Sequence, residues 1–209
     1  RGSGDLRIQG APQGTYNRPA EWGPANADLL MRSVSIAMWQ LPLAKWTGAT
    51  GYGSRLLLDG WQLSGIFSAQ TGLPANVTNN LSSNGTDRPN ACGCGVPTYL
   101  DNYTSGSLQL LNPAAFVGIP ISKLSGEQIV GGNLSFNSVR APGSINLDVS
   151  LAKTFALTER FRLRLRADTF NTTNHTSLGG LVTTTGSGNF GRLTQATART
   201  MQLEARFIF

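Results

Sequence analysis

Four arginines recur at every second position in Arg160-Phe-Arg162-Leu-Arg164-Leu-Arg166. At the two-residue period of a β-strand, all four guanidiniums fall on one face. Two chemistries follow. A column of bare cations would draw anionic ligands along a wall. Paired across a sheet with Asp148, Glu204 and Asp168, the same arginines would instead hold neighbouring side chains in place. The pairing is the expected use. Other reactive groups are sparse. His175 is the only histidine and sits in an Asn/Thr-rich segment at a strand end, where a loop residue is expected rather than a base. There is no Ser-His-Asp spacing, phosphate loop or cluster of metal ligands. The chain is therefore not expected to be an enzyme, and no catalytic, cofactor-binding or metal-binding residue is assigned. Cys92 and Cys94 flank a single glycine and lack the further ligands of a zinc site. A loop disulfide, two loop thiols, a redox clip and a soft-metal site all remain open for them. Asp87 and Arg88 are expected to make a local turn contact.

These side chains sit in a chain of 209 residues with only 13% charged residues and 25 glycines. Asn, Ser and Thr are also abundant, which is a composition of strands and loops. The formal charge is +6, but the basic residues are not gathered in a tail or on a helix face, so no nucleic-acid partner is expected. No apolar stretch is long enough for a transmembrane helix. The sequence begins at Arg1 without a signal peptide, and a mature or excised piece is expected.

Alternation predicts five strands, near 31–41, 56–70, 144–155, 159–170 and 199–209. Val34, Ile36 and Met38 share one parity in the first. Trp61, Leu63, Gly65, Phe67 and Ala69 do so in the second, and Ile145, Leu147, Val149 and Leu151 in the third. In the fourth, Phe161, Leu163 and Leu165 oppose the arginines. In the last, Met201, Leu203, Ala205, Phe207 and Phe209 oppose Thr200, Gln202, Glu204 and Arg206. Each run is long for a soluble strand and suits a tilted membrane strand. A tight turn is expected at 156–158 and an intermediate linker at 43–55. Long polar loops are expected at 71–143 and 171–198, with a further loop or extension at 1–30. Short connections on one side and long ones on the other, with a strand ending on an aromatic, are the pattern of an outer-membrane barrel. The fold class is all-β: an antiparallel up-and-down meander of about five strands, part of a larger transmembrane barrel, spanning 31–209. The long loops are expected outside and the short turns on the periplasmic side. Val149, Leu151, Phe161, Leu163, Leu165, Leu203, Ala205 and Phe207 are expected on the lipid face. Asp148, Arg162, Arg164, Arg166 and Glu204, with Arg160, are expected on the lumen face.

An ordered set of motifs adds a resemblance. Gly60-Trp-Gln-Leu-Ser-Gly65, Asp87-Arg-Pro-Asn90, Leu111-Asn-Pro-Ala-Ala-Phe116 and the run from Arg140 to Leu151 come first. Leu157-Thr-Glu-Arg160, Asp168-Thr-Phe-Asn171, Asn174-His175, Phe190-Gly-Arg192 and the terminal Phe209 follow. Across most of 15–209 the chain resembles the C-terminal end of an Oar-like TonB-dependent outer-membrane receptor of the acidobacterial type. The resemblance implies a barrel of about 22 strands around an N-terminal plug, energised through TonB. It implies uptake of a substrate too large for a porin. It also implies that the terminal strand, Met201 to Phe209, is the signal read by the barrel-assembly machinery. Plug and TonB contact would lie outside these residues, and about five strands cannot close a barrel around a channel.

The implied location is the bacterial outer membrane, with the lipid bilayer, the rest of barrel and plug, and the assembly machinery as partners. A second reading follows from the two open edges of a five-stranded sheet: a structural protein at the cell surface or outside the cell that pairs with copies of itself into an oligomer or filament.

Overall fold

The computed structural model describes Gln13 and residues 18–80, 87–100, 108–119 and 131–209. Five long strands form one sheet: β1 (Arg32–Leu41), β2 (Trp61–Gln70), β3 (Ser144–Ala156), β4 (Arg162–Phe170) and β5 (Thr200–Ile208). They lie in chain order and every neighbouring pair is antiparallel. The fold is thus the expected meander. β1 and β5 are its outer strands, so the sheet is not closed.

Two strand ends differ from the expectation. Residues 56–60 do not extend β2. The linker folds into two short helices, α1 (Leu43–Thr47) and α2 (Tyr52–Leu58), and Leu56, Leu57 and Leu58 belong to α2. Helix and strand are hard to separate in a run of three leucines. The break is made by Gly60, whose φ of 79° is in the left-handed region and whose missing Cβ leaves room for the Thr154 carbonyl. β4 starts at Arg162 rather than Glu159, because the turn is wider than 156–158. The Leu157 and Thr158 amides both donate to the Phe161 carbonyl, at 3.1 and 3.2 Å, and Thr158 Oγ1 accepts from the Phe161 amide at 3.0 Å.

Two compact units divide the chain. One contains the sheet, from residues 31–70, 144–177 and 197–209. The other is drawn from 1–30, 71–143 and 178–196. Residues expected as loops thus form a unit with its own core of Val77, Leu110, Leu111, Val139, Phe190 and Leu193. Short ladders tie it together. Pro74–Ala75 pairs with Val139–Arg140, Asn90–Ala91 with Phe116–Val117, and Leu178–Leu181 with Leu193–Ala196, all antiparallel. Thr78–Asn79 pairs in parallel with Thr184–Thr185.

Its strongest polar feature is a buried ion pair. Arg88 donates from Nη1 and Nη2 to the two carboxylate oxygens of Glu21, at 2.9 and 3.0 Å, and from Nε to the Leu134 carbonyl at 2.8 Å. The expected local turn contact of Arg88 is therefore a fork-to-fork pair across 67 positions of sequence. Gln13 completes it, accepting from the Arg88 amide and donating to the Gly132 carbonyl.

Candidate functional site

The faces of the sheet follow from register, because residues directly opposite one another point to the same side. Leu203 stands opposite Ala167, Ala205 opposite Leu165 and Phe207 opposite Leu163. Leu151 stands opposite Ala167 and Leu63. One face is therefore apolar across β2 to β5, carrying Leu147, Val149, Leu151, Leu163, Leu165, Leu203, Ala205 and Phe207. Phe161, just before β4, stacks on Phe207 with ring centroids 5.8 Å apart. Met201 belongs to the same face, and Phe209 lies one residue past the strand.

The other face carries Asp148, Arg162, Arg164, Arg166, Glu204 and Arg206. Arg160 is not part of this ladder; it lies in the turn before β4. Among the described residues, Arg166 is the one arginine of β4 that pairs with a carboxylate. Arg166 Nε donates to Asp168 Oδ1 at 2.8 Å and to Ser150 Oγ at 2.9 Å. The expected pairings with Asp148 and Glu204 do not form. Asp148 Oδ1 is taken by the Asn146 side chain and the Asn171 amide, at 2.8 and 2.9 Å. Glu204 pairs within its own strand with Arg206, at 3.1 Å. Among the described residues, Arg162 and Arg164 have no ion-pair partner, and Arg164 stands directly opposite Arg206. Like charges placed opposite one another cost stability, so this end of the polar face keeps excess positive charge.

β1 reverses the pattern. Its register sets Val34 opposite Ser68, Ile36 opposite Ile66 and Met38 opposite Ser64. The apolar parity of β1 thus lies on the polar face, with Ile36 74% exposed, while Ser33, Ser35 and Ala37 join the apolar face. Alternation within one strand cannot reveal this, because the relative parity of β1 and β2 depends on how the linker folds.

Lys153 is a residue that alternation alone passes over, though it interrupts the apolar parity between Leu151 and Phe155. It lies on the apolar face and is only 4% exposed. Its ammonium bonds the Asp59 carbonyl and stands 5.4 Å from the Trp61 ring centroid and 4.9 Å from that of Phe155. These aromatics belong to a line across the sheet. The row of Trp39 runs through Leu63, Leu151, Ala167 and Leu203. Trp61 lies two residues from that row, and Phe155 and Phe207 four, always toward the end with the short connections. At the same end of the polar face, a cavity of about 430 Å³ is lined by Tyr52, Arg55, Leu56, Thr154 and Arg162.

The remaining expected residues lie elsewhere. Cys92 and Cys94 are joined as a disulfide in the second unit. His175 lies in the loop after β4, where Asn171 holds its backbone: the His175 amide donates to Asn171 Oδ1 and the Asn171 side chain donates to the His175 carbonyl, both at 2.9 Å. Among the described residues, no cluster of side chains could hold a metal ion, and no helix is long and apolar enough to cross a membrane, which says nothing of crossing by strands.

A family model described as an outer membrane beta barrel domain matches residues 1–202. No curated protein and no solved structure matches the chain.

Proposed function

Because the chain belongs to the outer-membrane β-barrel domain family, and so to the bacterial outer membrane, we propose that it is the C-terminal part of a TonB-dependent receptor barrel that takes up a large substrate. The observation that carries this reading is the open meander with one continuous apolar face. That face meets lipid, and the arginine face lines the lumen. The aromatic line supports the assignment. Trp61 sits two residues, and Phe155 and Phe207 four residues, beyond the row of Trp39, so the aromatics gather at the end of the sheet with the short connections, as a girdle at one interface does. The long segments all leave the opposite end of the sheet, and on this reading they are external and the linker at 42–60 is periplasmic.

The ordered motifs from Gly60 to Phe209 support a TonB-dependent receptor over a general porin, and the bare guanidiniums of Arg162 and Arg164 suit an anionic substrate. The reading invokes no enzyme chemistry or cofactor. The open edges of β1 and β5 favour one alternative, an assembly of copies of this chain through those edges. Isolation of the protein from the outer membrane, with its intact mass and its binding to the purified periplasmic domain of TonB, tests both. A chain much heavier than 22.2 kDa that binds TonB is the expected result. A 22.2 kDa chain in an oligomer that ignores TonB would replace the receptor with the alternative.

A further inference from the structure

The linker between β1 and β2 exposes more apolar surface than a short turn in water should. Trp46 is 59% exposed, and Tyr52 and Leu57 are also exposed. Three contacts tie this linker to one end of the apolar sheet face. The Trp46 ring meets that of Trp39 edge to face at 5.6 Å. The Trp61 indole N–H donates to the Leu57 carbonyl at 2.9 Å. The Lys153 ammonium bonds the Asp59 carbonyl. Trp39, Trp61 and Lys153 all belong to the apolar face. The exposed surface of Trp46 and Leu57 is therefore continuous with the face that meets lipid, while Tyr52 lines the cavity on the polar face. Residues 42–60 contain the cations Lys45 and Arg55 and one carboxylate, Asp59, which pairs with Arg55 at 3.9 Å and leaves Lys45 as the excess charge. Aromatics and leucines beside an excess cation suit the boundary between acyl chains and anionic headgroups.

We propose that the 42–60 linker is an interfacial foot: α1 and the Leu57 side of α2 lie in the headgroup region of the adjoining phospholipid leaflet, with Lys45 toward its phosphates. This rests on the reading of the apolar face as the lipid face. The foot fixes the depth of the sheet from one side, as a girdle does, but through a connection rather than through strand residues. Lys153 is explained by it. A lysine on a lipid face would be expensive unless its ammonium reached a polar acceptor at the interface, and the foot supplies the Asp59 carbonyl.

The test is photo-crosslinking of the full chain in its native membrane. p-Benzoylphenylalanine is placed in turn at Trp46, Leu57, Leu203 and Trp22, and phospholipid adducts are read by mass spectrometry. Adducts at Trp46 and Leu57 comparable to those at Leu203, and none at Trp22, are expected. Adducts at Leu203 with none at Trp46 or Leu57 would overturn the foot while leaving the barrel in place. Loss at Leu203 as well would remove the lipid face and the foot with it. Equal adducts at Trp22 would mean indiscriminate labelling and would also overturn the assignment.

Discussion

The two units of this chain use their apolar residues in opposite ways. In the unit built from the long connections, Leu111 is fully buried and Arg88 is buried against Glu21. In the sheet unit, Leu203 is 79% exposed and the ion pairs near it are on the surface. The first unit hides carbon from water and pairs the charged groups it buries. The second displays carbon on one face and satisfies its backbone through the ladder. The difference points to two solvents, water around one unit and lipid against one face of the other.

The largest expected effect breaks the water-side unit alone. Arg88→Ala strands the Glu21 carboxylate in a dry site and is expected to cost about 3–5 kcal/mol. Hydrogen exchange should report it as lost protection at Leu110 and Leu193, with protection through β4 and β5 unchanged. Loss of protection in both units together would mean that they do not respond separately. Leu111→Ala removes side-chain volume from the same core and is expected to cost about 2–5 kcal/mol. Leu203→Ala in a bilayer should cost clearly less, since its neighbours there are fluid acyl chains. Equal losses in denaturant titrations would erase the contrast between the two solvents.

A charge sharpens the comparison. Leu203→Arg is expected to destabilise the protein in bilayers by about 2–4 kcal/mol, as a cation near the midplane of a barrel's lipid face does. Ser68→Arg, on the polar face, should leave stability nearly unchanged. A reversal of this order would reverse the two faces. The smallest effect belongs to the surface pair: Glu204→Gln should change stability by less than about 1 kcal/mol. It should also raise the net positive charge beside Arg206.

Much of the sheet was legible because alternation is a local signal. The parity of Met201 to Phe207 and of Leu163 to Arg166 needs only the sequence of one strand. What depends on distant partners was not legible. Arg88 looked like a turn residue because Glu21 is far away in sequence. The arginine ladder looked paired because carboxylates share its face, yet Asp148 is held by Asn146 and Asn171. Leu56 to Leu58 continued the apolar run of β2 and turned out helical. β1 placed its apolar parity on the polar face through a register that no single strand encodes. The compact loop unit was the least legible part. Its core joins the pair Leu110–Leu111 to Val77, Val139, Phe190 and Leu193, single apolar residues scattered through segments dominated by polar residues and Gly.

The central claim is that this sheet is a segment of a larger barrel, so β5 must pair on the side away from β4. In lipid an unpaired edge would leave its backbone groups without any partner, at about 1–3 kcal/mol for each group. Hydrogen exchange along Thr200 to Ile208, in the native outer membrane, measures this directly. The account predicts slow exchange at every amide of β5, including the alternate ones directed away from β4. Exchange of those alternate amides as fast as in an open loop would mean a bare, solvated edge and would contradict it.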